Sequence, residues 1–163
     1  MDKVVLVTGA SAGFGKSIAN HLAGLGYKVY GTSRKQSTTE TPFTMLKLDV
    51  HDNASVNAAI KEILGTEGKL DVLVNNAGFG LSGAVEDTSI EEAKWQFETN
   101  FFGVVRCIHA VLPHMRSRKE GRIINICSMA GMAGLPFQGF YSASKFAVEG
   151  LTESLRLELV AHN

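Results

Sequence analysis

The chain has 163 residues, 45% of them hydrophobic, enough to bury the core of one domain and too apolar for a disordered chain. Sixteen Lys and Arg balance sixteen Asp and Glu, so the charge gives no footprint for nucleic acid or an anionic membrane. No apolar run reaches the length of a membrane span, and the N-terminus, which goes straight into a strand, is expected to carry no signal peptide. Cys107 and Cys127 form no disulfide framework and read as small core residues, and the five His show no metal-ligand spacing. The expectation is a cytoplasmic protein without a metal.

Val4-Val5-Leu6-Val7 reads as a fully buried parallel strand. Thr8-Gly9-Ala10-Ser11-Ala12-Gly13-Phe14-Gly15 follows, then Ile18, Ala19, Leu22 and Leu25 on one helix face, with Gly26 at the helix end. A strand, a glycine-rich turn and a helix N-terminus form an anion site, because bare backbone approaches a phosphate and unpaired N–H groups favour negative charge. Lys28 to Thr32 is the second strand, with Ser33-Arg34-Lys35 at its end. An acid there would bind a ribose 2′-hydroxyl, whereas Arg34 suits a 2′-phosphate, so NADP(H) is expected over NAD(H). Gln36 to Pro42 reads as an exposed loop.

Met45 to Leu48 is the third strand, ending in Asp49-Val50. Asp52 caps a helix carrying Val56, Ala59, Ile60 and Ile63, which Gly65 and Gly68 close. Leu70 to Val74 is the fourth strand and runs into Asn75-Asn76-Ala77-Gly78. Ser89-Ile90-Glu91-Glu92 is a capping box, so a helical segment to Met115 starts near Ile90. Trp95, Phe101, Phe102, Val105, Ile108 and Leu112 are its expected core or interface residues, and Pro113 should kink or end it. Asn100 is a polar residue among apolar ones. Arg122 to Cys127 is the fifth strand and Ser128 ends it; a loop with Gly131, Gly134 and Pro136 leads into a helix opened by Tyr141-Ser142-Ala143-Ser144-Lys145.

Strands alternating with helices give an α/β fold, a doubly wound parallel sheet of Rossmann type with five strands. Ligands in such sheets bind outside the carboxyl ends of the strands, where the glycine turn, Arg34, Asp49, Asn75–Gly78 and Ser128 all fall. Tyr141 and Lys145 are four residues apart on one helix face. A free phenol titrates near ~10, so acid–base work near neutrality needs a cation beside it, which Lys145 supplies. Ser128 can hydrogen-bond and orient the same substrate oxygen.

These motifs, in order and from residue 3 onward, resemble the short-chain dehydrogenase/reductase family. Arg34 and Leu135-Pro136-Phe137 are similar to its hydroxysteroid and retinol dehydrogenase branch. The resemblance implies NADP(H)-dependent interconversion of an alcohol and a ketone or aldehyde. It implies catalytic roles for Asn100, Ser128, Tyr141 and Lys145, with Tyr141 the acid–base group and Asn100 linking the site to solvent through water. It also implies cofactor contacts at Gly9, Ser11, Gly13, Phe14, Gly15, Arg34, Asp49, Val50, Asn76, Ala77, Gly78, Tyr141 and Lys145. Asp49 would accept from the adenine amino group, although it could equally cap the next turn, and Lys145 would hold the nicotinamide ribose. Self-association through the long helices follows from the family too. Family members continue into a sixth strand and a substrate lid, so residues 1–163 are expected to be a single dinucleotide-binding domain stopping short of both. That leaves the alternative of a non-catalytic nucleotide-binding or oligomerising module.

Overall fold

The computed structural model describes residues 3–35 and 40–160, so Gln36 to Thr39 of the expected loop lie outside the described residues. Five parallel strands, β1 (Val4–Val7), β2 (Lys28–Ser33), β3 (Thr44–Lys47), β4 (Val72–Asn75) and β5 (Arg122–Asn125), form one sheet in the order β3-β2-β1-β4-β5. Alternation along β1 decides which layer each side chain joins. Val4 and Leu6 pack with α2 (Asn53–Glu67) and α4 (Gly103–Arg118), while Val5 and Val7 pack with Ala19 of α1 (Gly13–Gly24) on the other face. All four are buried, and each contributes roughly 1.5–3 kcal/mol of apolar burial.

The chain reverses direction across the sheet between β1 and β4, which both pair parallel with no strand between them. That reversal opens a crevice at the carboxyl ends of the strands. The expected capping box forms at α3 (Ile90–Phe97), and Asp52 caps α2 by accepting from the Ala54 N–H at 2.8 Å. The last helix, α5 (Gly139–Glu158), packs Val148 into the α2–α4 layer. No helix among the described residues is long and apolar enough to cross a membrane.

Several local expectations give way. Gly65 sits inside α2, which ends only at Gly68, where φ is 68° and the N–H bonds the Leu64 carbonyl. Pro113 does not end α4, which runs to Arg118. Pro113 and His109 lie on the exposed side, so the missing bond falls where water replaces it, while Val111 and Met115 stay buried. Between α3 and α4 the backbone takes a π-helical turn over Glu98–Phe102. This turn shifts the register of the apolar stripe. Trp95 and Phe102 are left half-exposed, and Val104, Cys107, Ile108, Val111 and Met115 form the buried face. Leu25 is likewise exposed, and Cys127 is only partly buried.

Candidate active site at the strand ends

The crevice is a cavity of about 1650 Å³. Its floor is made where β1 meets β4. Thr8 Oγ1 accepts from the N–H groups of Asn76 and Ala77, each at 3.0 Å. Asn76 Nδ2 donates back to the Thr8 carbonyl at 2.9 Å and the Gly9 carbonyl at 3.2 Å. The packing here tolerates only glycine. A Cβ on Gly9, whose φ is 67°, would sit 2.9 Å from Ala77 Cα, and a Cβ on Gly15 would overlap the Gly9 carbonyl and Asn76 Nδ2.

No side chain caps α1, and Ala12 precedes it in extended conformation. Gly13, Phe14 and Gly15 of its first turn line the cavity together with Gly9 and Ser11. Free first-turn N–H groups beside bare glycine backbone fit the phosphates of a dinucleotide. Arg34 is exposed at the end of β2 and lines the same cavity with Lys35. Asp49 is not in the lining; its Oδ1 accepts from the His51 N–H at 3.0 Å, which realises the turn-capping alternative. Val50 is in the lining, and its carbonyl accepts from Arg106 Nη1 at 3.2 Å.

The same cavity is also lined by Ser128, Tyr141 and Lys145, together with Asn76, Ala77 and Gly78. Ser128 stands two residues past Ile126, whose N–H pairs with the Asn75 carbonyl at 2.8 Å, with Cys127 between them. Its Oγ accepts from the Ala130 N–H at 3.1 Å, which leaves the hydroxyl hydrogen free to donate into the cavity. Lys145 is 8% exposed and donates from Nζ to the Ile126 carbonyl at 2.9 Å. Nζ also lies 5.9 Å from the centre of the Tyr141 ring. Burial pushes the Lys145 ammonium below its ordinary value, against the opposing pull of Cys127 and Glu149.

Asn100 does not line the cavity. It is 1% exposed in the π turn, where Oδ1 accepts from the Phe79 N–H at 3.0 Å. Its Nδ2 donates to the Phe79 carbonyl at 2.9 Å and to Ser144 Oγ at 3.3 Å, so both donors hold structure. Ser144 Oγ in turn donates to the Tyr141 carbonyl at 2.7 Å. Sequence reasoning missed Gln96, wholly buried and bonded to the same loop, and the contact of His51 Nε2 with Thr99 Oγ1 at 2.6 Å. The one sequence signal for Gln96 is its spacing, four residues before Asn100 on the same helical face. A separate hollow of about 430 Å³, lined by Ile90, Phe97, Phe102 and Phe140 among others, holds none of the predicted site residues.

Over residues 3–163 the chain matches the short chain dehydrogenase family. It is 52% identical over 157 residues to 3-ketodihydrosphingosine reductase of Bacteroides thetaiotaomicron, covering 96% of this chain and 58% of that protein. Curated relatives of this kind are longer, and the chain spans 49% to 60% of those it resembles. Among solved structures, ElxO with NADP bound superposes with a TM-score of 0.93 at 36% identity, covering 99% of this chain and 70% of that one. A short chain dehydrogenase/reductase from Burkholderia phymatum in complex with NAD gives 0.92 at 32% identity, covering 99% and 62%. Fold, cavity and matched residues agree: the chain belongs to the short-chain dehydrogenase/reductase family.

Proposed function

We propose that this chain carries the nucleotide-binding and acid–base parts of an NADP(H)-dependent reductase for a carbonyl group on a long apolar molecule. The observation that carries this reading is that Ser128, Tyr141 and Lys145 line the same cavity as the glycine turn. In it, the first-turn N–H groups of Gly13 to Gly15 hold the phosphates, Asn76 to Gly78 back the nicotinamide half, and Val50 flanks the adenine, with Asp49 shaping the turn beneath it. Arg34 and Lys35 favour a 2′-phosphate, which is the ground for NADP(H) over NAD(H), since relatives of known structure carry either nucleotide. The bound nicotinamide supplies or takes up hydride.

Everything else falls to the chain. Tyr141 gives its phenolic proton to the substrate oxygen as an alcohol forms, and takes it back in the reverse direction. Ser128 donates its free hydrogen to the same oxygen and fixes its position. Lys145 keeps a positive charge beside Tyr141, which favours the phenolate side of that exchange, and its two remaining donors are available to the nicotinamide ribose. Asn100 acts through Phe79 and Ser144 rather than on the substrate.

The substrate class rests on the loop between Ser128 and Tyr141, which exposes Met129, Met132 and Phe137 by 80%, 81% and 69%. Its partner loop joins it where the Gly83 N–H donates to the Phe137 carbonyl at 2.8 Å, and adds Val85 at 65% exposure. Bare apolar side chains on the loop that joins Ser128 to Tyr141, and on its partner loop, suit a lipid-like ketone. The Bacteroides relative is named for such a compound, 3-ketodihydrosphingosine. The test follows NADPH absorbance with that ketone and with a short polar ketone. Consumption with the lipid ketone alone is the expected result. No consumption with either, or equal rates with both, would overturn the substrate reading.

A further inference from the structure

We infer that Gln96 is a positioning residue for Tyr141, acting by pinning the Phe79–Leu81 segment beside the Tyr141 ring. The inference rests on the acid–base role proposed for Tyr141 above. Gln96 is 0% exposed, on the buried side of α3. Its Nε2 donates to the Phe79 carbonyl at 2.7 Å, and its Oε1 accepts from the Leu81 N–H at 2.7 Å. One amide therefore grips the backbone on either side of Gly80. Asn100, one turn further on, grips the N–H and carbonyl of Phe79 at 3.0 and 2.9 Å. The Phe79 ring is held as well, with its centre 4.6 Å from that of Trp95.

Gly80 lies between the two gripped residues. A Cβ built on it would stand 3.9 and 4.0 Å from Cδ2 and Cε2 of Tyr141, so this backbone borders the ring. Gly80 has no side chain with which to anchor itself, and the segment belongs to no strand or helix. Its position is set by hydrogen bonds from α3 and the π turn. A buried glutamine is costly unless both ends of its amide are satisfied, and here both are. Tyr141 is thus held from two directions. Ser144 of α5, itself bonded by Asn100 of the π turn, holds the Tyr141 carbonyl, and Gln96 fixes the backbone across from its ring.

The experiment uses the full chain with carbon-13-labelled tyrosine rings, Tyr141 being assigned by Tyr141→Phe. Tyr27 and Tyr30 serve as internal reporters of the overall fold, because both lie on the β2 side of the sheet. Gln96→Leu removes both hydrogen bonds at similar volume, and Gln96→Glu keeps an acceptor for the Leu81 N–H. Expected in both is a shifted or broadened Tyr141 ring signal with Tyr27 and Tyr30 unmoved, larger in the leucine variant. If that variant fails to fold, the glutamate variant carries the test. With carbonyl substrate and NADPH, kcat should fall about tenfold or more and KM stay within about twofold, as misplaced acid–base groups require. An unmoved Tyr141 signal in a folded variant overturns the inference, and so does a change confined to KM. Absence of turnover in the unaltered chain would sink the acid–base reading alone, and the ring signals would still decide whether Gln96 positions Tyr141.

Discussion

At the amino end of the sheet the Asp71 carboxylate is gathered in by three partners, the Val4 N–H at 2.8 Å, Lys69 at 3.0 Å and Arg118 at 3.0 Å. At the carboxyl end, Thr8, Asn76, Gln96 and Asn100 are just as well bonded, but to loop backbone, and a large cavity stays open beside them. Both ends bury polar groups and satisfy most of them, as burial demands, with Arg118 Nη1 at one end and Asn75 Oδ1 at the other left without a partner. The difference lies in what the partners are. Charges closing on one carboxylate hold strands and helices together, whereas amides and a hydroxyl spent on backbone hold loops apart in a fixed shape. Substitutions at the two ends should therefore fail differently, the one in stability and the other in chemistry.

The largest effect is expected from Tyr141→Phe, which removes one oxygen from the cavity wall. Turnover with NADPH should fall by about a hundredfold to ten-thousandfold, with nucleotide affinity unchanged by titration calorimetry. Asp71→Ala is the counterpart at the other end. It strands the Val4 N–H and Arg118 and should cost about 3 kcal/mol, a fall of roughly 6–12 °C in unfolding midpoint, without loss of nucleotide binding. The pH dependence follows from the same contacts. Burial alone would raise the Asp71 carboxyl, but Val4, Lys69 and Arg118 together hold it below its ordinary value. Its stabilisation is complete above the ordinary carboxylate range and is lost as pH falls through the lowered value, and Asp71→Ala should flatten that part of an acid unfolding curve.

How much of this contrast can be read from sequence divides along the same line. The glycine turn, Arg34, Ser128 and the Tyr141–Lys145 pair were legible because each is a local pattern fixed to a strand end or one helix face. Asp71, Gln96 and Thr8 were not, since their partners lie 67, 17 and 68 residues away and no short spacing announces them. The π turn was hidden for another reason. It changes the register between Trp95 and Val104 without any Gly or Pro inside Glu98–Phe102 to mark it. Pro113 misled in the opposite sense, because a residue that normally stops a helix stands on the exposed side, where the lost bond costs least.

Smaller effects sharpen the comparison. Arg34→Ala should weaken NADPH binding about tenfold to a hundredfold, by loss of a charge-assisted contact, and leave NADH binding alone. Equal losses for both nucleotides would move Arg34 from the 2′-position to a general phosphate role. Tyr30 belongs to the stability end, its hydroxyl donating to Glu67 at 2.5 Å near the start of β2. Burial first, and then Glu67, pushes its phenol up to about 12. Tyr30→Phe should cost about 1 kcal/mol in a thermal unfolding curve. The stabilisation from Tyr30 is fully present below the ordinary phenol range and is lost as pH rises through about 12.

The central claim is that the crevice at the strand ends holds NADP(H). The most direct measurement is the unfolding midpoint of the chain with NADPH, with NADH and with neither. NADPH at about a hundred times its dissociation constant should add about 2.7 kcal/mol, a rise of several degrees, and NADH at the same concentration should add less. A midpoint unmoved by either nucleotide, or raised more by NADH, would contradict the account.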